Sequence, residues 1–272
     1  MYCYFCGRPS VGAEHIPPKS FFIKGKKENL ITVPSCELHN QDKSKDDEYI
    51  RSLLLSSEKL DGNHKLGELL AAHDSTLKHV GGLIPSRIKS EADYQKFCEI
   101  ELALKDDPAH GMKAFSELQK AGINTGLLGL LALDYRDEII LDSDGNEQGT
   151  ISFAFDTERF NVFFKALSKG LFFHETETVW LGDVILISHS FLRGDIGEEG
   201  KKLSQHYRSQ LARDSAKGEH KDIFYYDIGT EFDDSGSEIL RYVLSFCLYD
   251  TYEFSAIFDR ENLVVSVKYD EE

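Results

Sequence analysis

The chain of 272 residues has 41% hydrophobic and 29% charged residues and only six prolines, the composition of a folded globular protein. This composition excludes a fibrous or disordered chain, and no apolar run approaches the roughly 18 residues that a membrane helix needs. The chain opens at Met1 without a basic segment followed by an apolar one, which favours a cytoplasmic location over secretion. The length allows one or two domains, and we expect two.

The net charge of −16 is unevenly distributed along the chain. Residues 1–50 carry seven basic and seven acidic side chains, so all the excess negative charge lies in residues 51–272. An acidic region of this kind repels the phosphates of nucleic acids. Unassisted binding of nucleic acid by the whole chain is therefore disfavoured.

The N-terminal stretch is predicted to contain short strands separated by turns. A knuckle at residues 3–7 precedes an extended segment at 12–19, a basic loop at 23–28 and a second apolar run at 29–33. Pro34 and Ser35 then precede a helix that begins near Cys36. The predicted order is strand, strand, helix.

The remaining residues are predicted to form an α+β fold, mainly helical over 51–131 and strand-rich afterwards. Helices are expected at 53–60, 65–73, 93–104 and 111–120, and at 157–168 with Gly170 as the C-terminal glycine. Strands are expected in a hairpin at 138–155 with its turn at 142–146, and at 184–188, 223–228, 242–249 and 263–269. Within these elements, we expect the side chains of Cys98 and Cys247 to be buried.

Two pairs of potential metal ligands lie near the N-terminus. Cys3 and Cys6 are separated by two residues, and Cys36 and His39 have the same spacing. Three thiolates and one imidazole complete a tetrahedral set for Zn²⁺, so the predicted site is closed and structural. Clustering of this kind favours metal binding over disulfides. A structural zinc ion helps a small module to fold without a large core.

The residues between and directly after these pairs resemble the HNH, or His-Me finger, endonuclease family. In that family an acidic residue and a histidine end or follow the first strand of a ββα fold. An Asn-Leu pair precedes the second strand, and an asparagine follows the last zinc ligand on the helix. The corresponding residues here are Glu14-His15, Asn29-Leu30 and Asn40.

The resemblance implies a catalytic role for each of these residues. His15 would be the general base that takes a proton from water, as a neutral imidazole can near neutral pH. Glu14 and Asn40 would offer oxygen ligands to a catalytic Mg²⁺ or Mn²⁺. Asn29 would hold the loop around His15. The implied activity is hydrolysis of phosphodiester bonds, with DNA as the expected substrate.

Nucleic-acid contacts are expected from lysines in this part of the chain, although a short run of charges also suits a solvated loop. These lysines are Lys19, Lys24, Lys26, Lys27 and Lys43. Two residues depart from the family pattern. Glu14 stands where the family most often has aspartate, and His39 stands where a cysteine ligand is more usual. Zinc accepts either last ligand.

We therefore predict a module at residues 1–56 that resembles the HNH family and an acidic α+β domain at residues 57–272, with its helical part at 57–131 and its strand-rich part at 132–272. The leading hypothesis is a metal-dependent HNH endonuclease. A second is a catalytically degenerate zinc finger that binds nucleic acid or protein, which the glutamate at position 14 motivates. A third is a conditional antiviral-defence or toxin nuclease, controlled by its C-terminal domain, a protein partner or homo-oligomerisation.

Overall fold

A computed structural model of the chain confirms the α+β fold class. The described residues are 1–41, 44–56, 60, 63–106, 110–123, 125, 133–141, 147–191, 197–260 and 266–267. The chain forms two compact units. The first unit comprises Met1–Arg51, Ser57–Leu69 and Arg159–Glu272, and the second comprises Ser52–Ser56 and Leu70–Glu158. Each unit combines segments that are distant in the sequence. The predicted domain boundary at residue 56 stays a prediction.

Helices and strands alternate irregularly along the described residues. The helices are α1 Glu37–Gln41, α2 Ser44–Leu55, α3 Gly67–Arg87, α4 Glu91–Leu104, α5 His110–Lys120, α6 Thr157–Thr176 and α7 Glu198–Arg208. The strands are β1 Gly12–His15, β2 Thr32–Ser35, β3 Leu133–Leu141, β4 Glu147–Ala154, β5 Val179–Trp180, β6 Ile185–Ser188, β7 Phe224–Phe232, β8 Ile239–Leu248, β9 Tyr252–Asp259 and β10 Ser266–Val267. Among the helices of these residues, none has the length and apolar character to cross a membrane.

The strands pair in antiparallel ladders throughout the described residues. β1 pairs with β2, β3 with β4 and β5 with β10, and a larger sheet has the order β6-β9-β8-β7. The strand predicted at 263–269 is described only at Ser266–Val267, which pairs with β5. The turn predicted at 142–146 lies outside the described residues.

Residues 1–51, which we call the finger, have the predicted order of strand, strand and helix. β1 and β2 pair so that Glu14 stands opposite Val33. The extended segment predicted over residues 12–19 is shorter, because β1 ends at His15. The two prolines that follow lack the N–H groups that a longer ladder would use.

α6 packs on the large sheet through aromatic side chains. The ring centroid of Phe164 lies 4.1 Å from that of Phe254 on β9, which lies 5.0 Å from that of Phe246 on β8. The buried positions of α6 are Phe160, Phe163 and Phe164 in its first half and every residue from Ala166 to Phe172 in its second half, so the second half is buried on all sides. The predicted end of this helix near Gly170 is wrong, because α6 continues through the glycine to Thr176.

The finger and α6 share one hydrophobic core. Phe21 of the finger stacks on Phe163 of α6 with 5.5 Å between ring centroids, and the Phe21 carbonyl accepts a hydrogen bond from the Tyr249 hydroxyl (3.3 Å). Gly170 faces Ile16 so closely that an added Cβ would stand 2.8 Å from the isoleucine side chain. The missing side chain at Gly170 therefore allows α6 to approach the finger, and this close approach is why a glycine lies inside the helix.

The second unit contains most of α3 together with α4, α5 and the β3-β4 hairpin. α4 begins at a side-chain cap, because the Ser90 hydroxyl accepts the N–H of Asp93 (3.1 Å). The expected burial of Cys98 is wrong, since this residue of α4 is exposed on a helix without buried residues. The expected burial of Cys247, on β8 of the first unit, is confirmed.

We expect Gly170→Ala to destabilise the protein, although alanine favours a helix over glycine by about 1 kcal/mol. The added methyl group would collide with Ile16, and overpacking of a buried site costs about 1 to 3 kcal/mol. Gly67→Ala is the matched control, because an added Cβ meets nothing within 4 Å there. Thermal denaturation should show a lower Tm for Gly170→Ala alone, with partial recovery in Ile16→Val/Gly170→Ala. A Tm equal to that of the wild type would contradict the close-approach explanation.

Candidate metal centre and active site

The first pair of candidate metal ligands lies in a tight turn. The Cys3 N–H donates to the Arg8 carbonyl (2.7 Å), and the Gly7 N–H donates to the Cys3 carbonyl (2.9 Å). Gly7 has a φ of 69°, in the left-handed region that glycine enters without steric cost. The turn brings the sulfur atoms of Cys3 and Cys6 within 4.8 Å of each other.

The second pair lies at the start of α1. The Cys36 carbonyl accepts hydrogen bonds from the N–H groups of His39 (3.1 Å) and Asn40 (3.0 Å). This first turn brings His39 Nδ1 to 3.2 Å from Cys36 Sγ. Burial opposes ionisation of Cys36, but hydrogen bonds from the His39 N–H and the neighbouring thiols outweigh it and lower the pKa of Cys36. The start of the helix therefore favours the thiolate that binds metals.

The four side chains of Cys3, Cys6, Cys36 and His39 form one compact group. Their ligand atoms all lie within 4.8 Å of one another. Cys6 Sγ lies 3.8 Å from Cys36 Sγ, and Cys3 Sγ lies 3.6 Å from His39 Nδ1. Tetrahedral zinc with Zn–S bonds of about 2.3 Å has ligand–ligand separations of about 3.8 Å. The group can therefore hold a metal ion such as zinc.

An aromatic ring and a cation lie beside this group. The Phe5 ring packs against the His39 ring with 4.4 Å between centroids. The same Phe5 ring has Lys169 Nζ of α6 at 4.8 Å from its centroid. Burial lowers the pKa of Lys169, and the carboxylate of Asp183 opposes this shift. Three thiolates around a divalent ion leave one net negative charge, so a nearby ammonium group suits the site electrostatically.

Glu14 and His15 occupy consecutive positions of β1, so their side chains leave opposite faces of the strand. The Glu14 side chain is buried, and its Oε2 accepts a hydrogen bond from the Tyr4 hydroxyl (3.0 Å). His15 is half-buried. Burial and the positive charge of Lys19 lower the pKa of His15, while the carboxylate of Glu14 opposes them. A lowered pKa keeps the imidazole neutral, the form that a general base requires.

Asn40 lies on α1, directly after the potential ligand His39. Its Nδ2 stands 3.3 Å from the position that a Cβ on Gly12 would occupy. Gly12 and Glu14 are two residues apart on β1 and therefore share a face of the strand. The structure thus brings Asn40 and Glu14 to the same face of β1, whereas His15 leaves the other face at the end of the strand.

The remaining predicted site residues lie on the loop between β1 and β2 or beyond it. Asn29 has a φ of 53°, and its Nδ2 donates to Oε1 of Glu219 (3.4 Å), far along the chain. Lys26 forms an ion pair with Asp222. Three other predicted lysines are exposed, namely Lys19, Lys24 and Lys27. Lys43 lies outside the described residues.

The sequence interpretation missed Tyr4. This residue fills a variable position between two potential zinc ligands, and the spacing pattern says nothing about such a position. Its side chain is fully buried and meets Glu14. Burial and the Glu14 charge hold the pKa of the Tyr4 hydroxyl well above its usual value, so Tyr4 is a hydrogen-bond donor. The sequence signal that could have identified Tyr4 is a large aromatic residue between two closely spaced cysteines.

Comparison with protein-family models found no matching family, and no curated protein or solved structure matches the chain. That the Cys/His group can hold a metal ion is therefore supported by its geometry alone. The HNH assignment is a proposal that stands on the residues and their placement.

We expect Cys36→Ser to lower the zinc content from about one ion per chain to about zero, because a hydroxyl is a poor replacement for a thiolate ligand. Elemental analysis of the purified chain measures the zinc content. The Tm should fall together with the zinc, since metal binding contributes to the folding free energy. Cys98→Ser, which removes an exposed thiol, should change neither quantity. Equal zinc content in the two variants would exclude the metal centre.

Proposed function

We propose that the chain is a metal-dependent endonuclease of the HNH type. The observation that carries the proposal is the placement of Glu14 and Asn40 over one face of β1, beside a Cys/His group that can hold zinc. The ββα order of the finger and the His15 side chain at the end of β1 support it. The resemblance to the HNH family supplies the roles of these residues.

In the proposed reaction, Glu14 and the amide oxygen of Asn40 would hold a Mg²⁺ or Mn²⁺ ion. When bound, that ion stabilises the negative charge that develops on the phosphate and on the leaving oxygen. His15, held neutral by burial, would accept a proton from the water that attacks phosphorus. The hydroxide so formed makes the new P–O bond as the bond to the leaving 3′-oxygen breaks.

The exposed lysines of the finger are the proposed contacts to the nucleic-acid backbone. Lys19 follows His15 closely in the chain, and Lys24 and Lys27 lie on the loop between β1 and β2. Contacts of this type attract phosphates without reading sequence. We propose DNA as the substrate, with cleavage limited by the acidic remainder of the chain.

The first test is cleavage of supercoiled plasmid DNA by the zinc-loaded chain with Mg²⁺ or Mn²⁺. We expect His15→Ala to reduce the cleavage rate by about 100-fold or more, the usual contribution of a general base. His64→Ala removes an exposed histidine elsewhere and should cleave at the wild-type rate. If the wild type leaves DNA and RNA intact under all metal conditions, the nuclease proposal fails. Binding without cleavage, unchanged in His15→Ala, would instead favour the degenerate binding module.

A specific set of contacts supports control of the enzyme by its own C-terminal region. The basic loop at residues 23–28 and its flanks meet residues 219–222, the segment that precedes β7. Lys26 pairs with Asp222, and Phe22 makes an edge contact with the ring of His220 (6.3 Å between centroids). Burial opposes the ionisation of Asp222, but the hydrogen bond from Lys26 outweighs it and lowers the pKa of Asp222.

These contacts set carboxylates against the loop that, in the proposed complex, would face the phosphates. Asp222 neutralises the charge of Lys26, and Glu219 accepts a hydrogen bond from Asn29 at the end of the same loop. A phosphate backbone must displace or avoid these acidic groups to reach the basic loop. We therefore propose that residues 219–222 restrain the nuclease, as expected for a conditional effector.

We expect Asp222→Asn to increase both DNA affinity and cleavage rate by about 3- to 10-fold at low ionic strength, where charge effects are least screened. Asp234→Asn makes the same charge change at an exposed turn and is the matched control. Filter binding and plasmid cleavage at several salt concentrations measure the two effects. If both variants respond equally, net charge alone accounts for the change and the restraint by residues 219–222 is disproved.

A further inference from the structure

The hydrogen bond between Tyr4 and Glu14 joins the potential zinc knuckle to the proposed catalytic metal site. The Tyr4 hydroxyl donates to Glu14 Oε2 at 3.0 Å. Tyr4 is 0% exposed and Glu14 is 9% exposed, so water competes little for this bond. A buried carboxylate is costly unless hydrogen bonds compensate for its lost hydration, and the tyrosine supplies such a bond.

Several contacts with neighbouring residues fix the position of Tyr4. Its neighbour in the chain is Cys3, a member of the Cys/His group, and Cys6 follows two residues later. The Tyr4 N–H donates to the carbonyl of Pro34 on β2 (2.9 Å). The ring also makes an edge contact with the ring of Phe5, 6.1 Å away between centroids. The hydroxyl is therefore carried to Glu14 by the fold of the knuckle and by β2.

We infer that Tyr4 is a positioning residue for Glu14, an inference that rests on the proposed nuclease function. Tyr4 fixes one carboxylate oxygen and thereby the orientation of the group that would bind the catalytic ion. A carboxylate has about four acceptor positions, so one that accepts a hydrogen bond can also bind a cation. Partners that orient metal ligands in this way commonly change metal affinity by about 10- to 100-fold.

The same contact explains why glutamate can stand where the HNH family most often has aspartate. Glutamate is longer than aspartate by one methylene group. The added length lets the carboxylate reach the Tyr4 hydroxyl from β1 while it stays on the face shared with Asn40. Tyr4 restricts the additional rotamers that the longer side chain would otherwise sample. Glu14 and Tyr4 thus act as a pair.

The experiment measures binding of Mn²⁺ to the full-length, zinc-loaded chain by electron paramagnetic resonance. We expect Tyr4→Phe to weaken Mn²⁺ binding by about 10-fold, because Glu14 loses its fixed orientation. The matched control is Tyr226→Phe, which removes a similar hydrogen bond from a buried tyrosine hydroxyl to Oε1 of Glu175 (2.8 Å). This control should bind Mn²⁺ as the wild type does, even where its Tm is lower.

A double-mutant cycle separates positioning from a general loss of stability. Glu14→Asp should weaken Mn²⁺ binding by a similar factor, because the shorter carboxylate cannot reach the Tyr4 hydroxyl from the same strand. In the Glu14→Asp background, Tyr4→Phe should then cause no further loss. If Tyr4→Phe loses zinc or fails to fold, the inference is tested with Glu14→Asp alone. Unchanged Mn²⁺ affinity in Glu14→Asp then overturns the inference.

The outcomes distinguish this inference from the proposed function. Wild-type Mn²⁺ binding that is abolished in Glu14→Ala supports the catalytic metal site. If Tyr4→Phe then retains wild-type affinity, the positioning role is overturned and the nuclease proposal stands. If the zinc-loaded wild type binds no Mn²⁺, the proposed catalytic metal site is disproved, and the inference with it.

Discussion

Cys6 and Cys36 are 30 residues apart in the chain, yet their sulfur atoms lie 3.8 Å apart. Holding these two segments together fixes the start of α1 relative to β1 and β2, and so brings Asn40 to the face of β1 that carries Glu14. In the thiolate form that binds metals, three sulfur atoms this close would repel one another. A cation among them replaces the repulsion with attractive bonds. The Cys/His group, which can hold a metal ion, therefore ties the start of α1 to the knuckle at residues 3–7.

The local parts of the site could be predicted because their signals are local. Each ligand pair is closed by one turn of backbone, so a spacing of two residues predicts a shared position for its side chains. The contacts between distant segments had no such signal. Lys26 meets Asp222 after 196 residues, and Tyr4 meets Glu14 through a hydroxyl at a position that the ligand pattern leaves open. Gly170 resembled a helix end because a sequence shows the glycine and not the isoleucine packed against it.

Packing between the finger and α6 has a consequence for the proposed active site. Ile16 directly follows His15, and its side chain fits against Gly170 of α6. Phe21, a few residues further along, stacks on Phe163 of the same helix. The backbone at His15 is therefore held by residues of the C-terminal part of the first unit as well as by β2. Interfaces packed this tightly transmit small displacements, so a change in α6 can alter the position of His15, the proposed general base.

The burial of Glu14 bears on the choice between an enzyme and a degenerate finger. In a finger that serves only as a scaffold, a buried carboxylate costs free energy that an apolar side chain of similar size would not. The Tyr4 hydroxyl reduces this cost and also holds the carboxylate in one orientation. Surroundings that penalise a lone carboxylate strengthen its attraction to a cation, because they screen the two charges less than water does. Glu14 therefore suits a metal-binding role better than a scaffolding one.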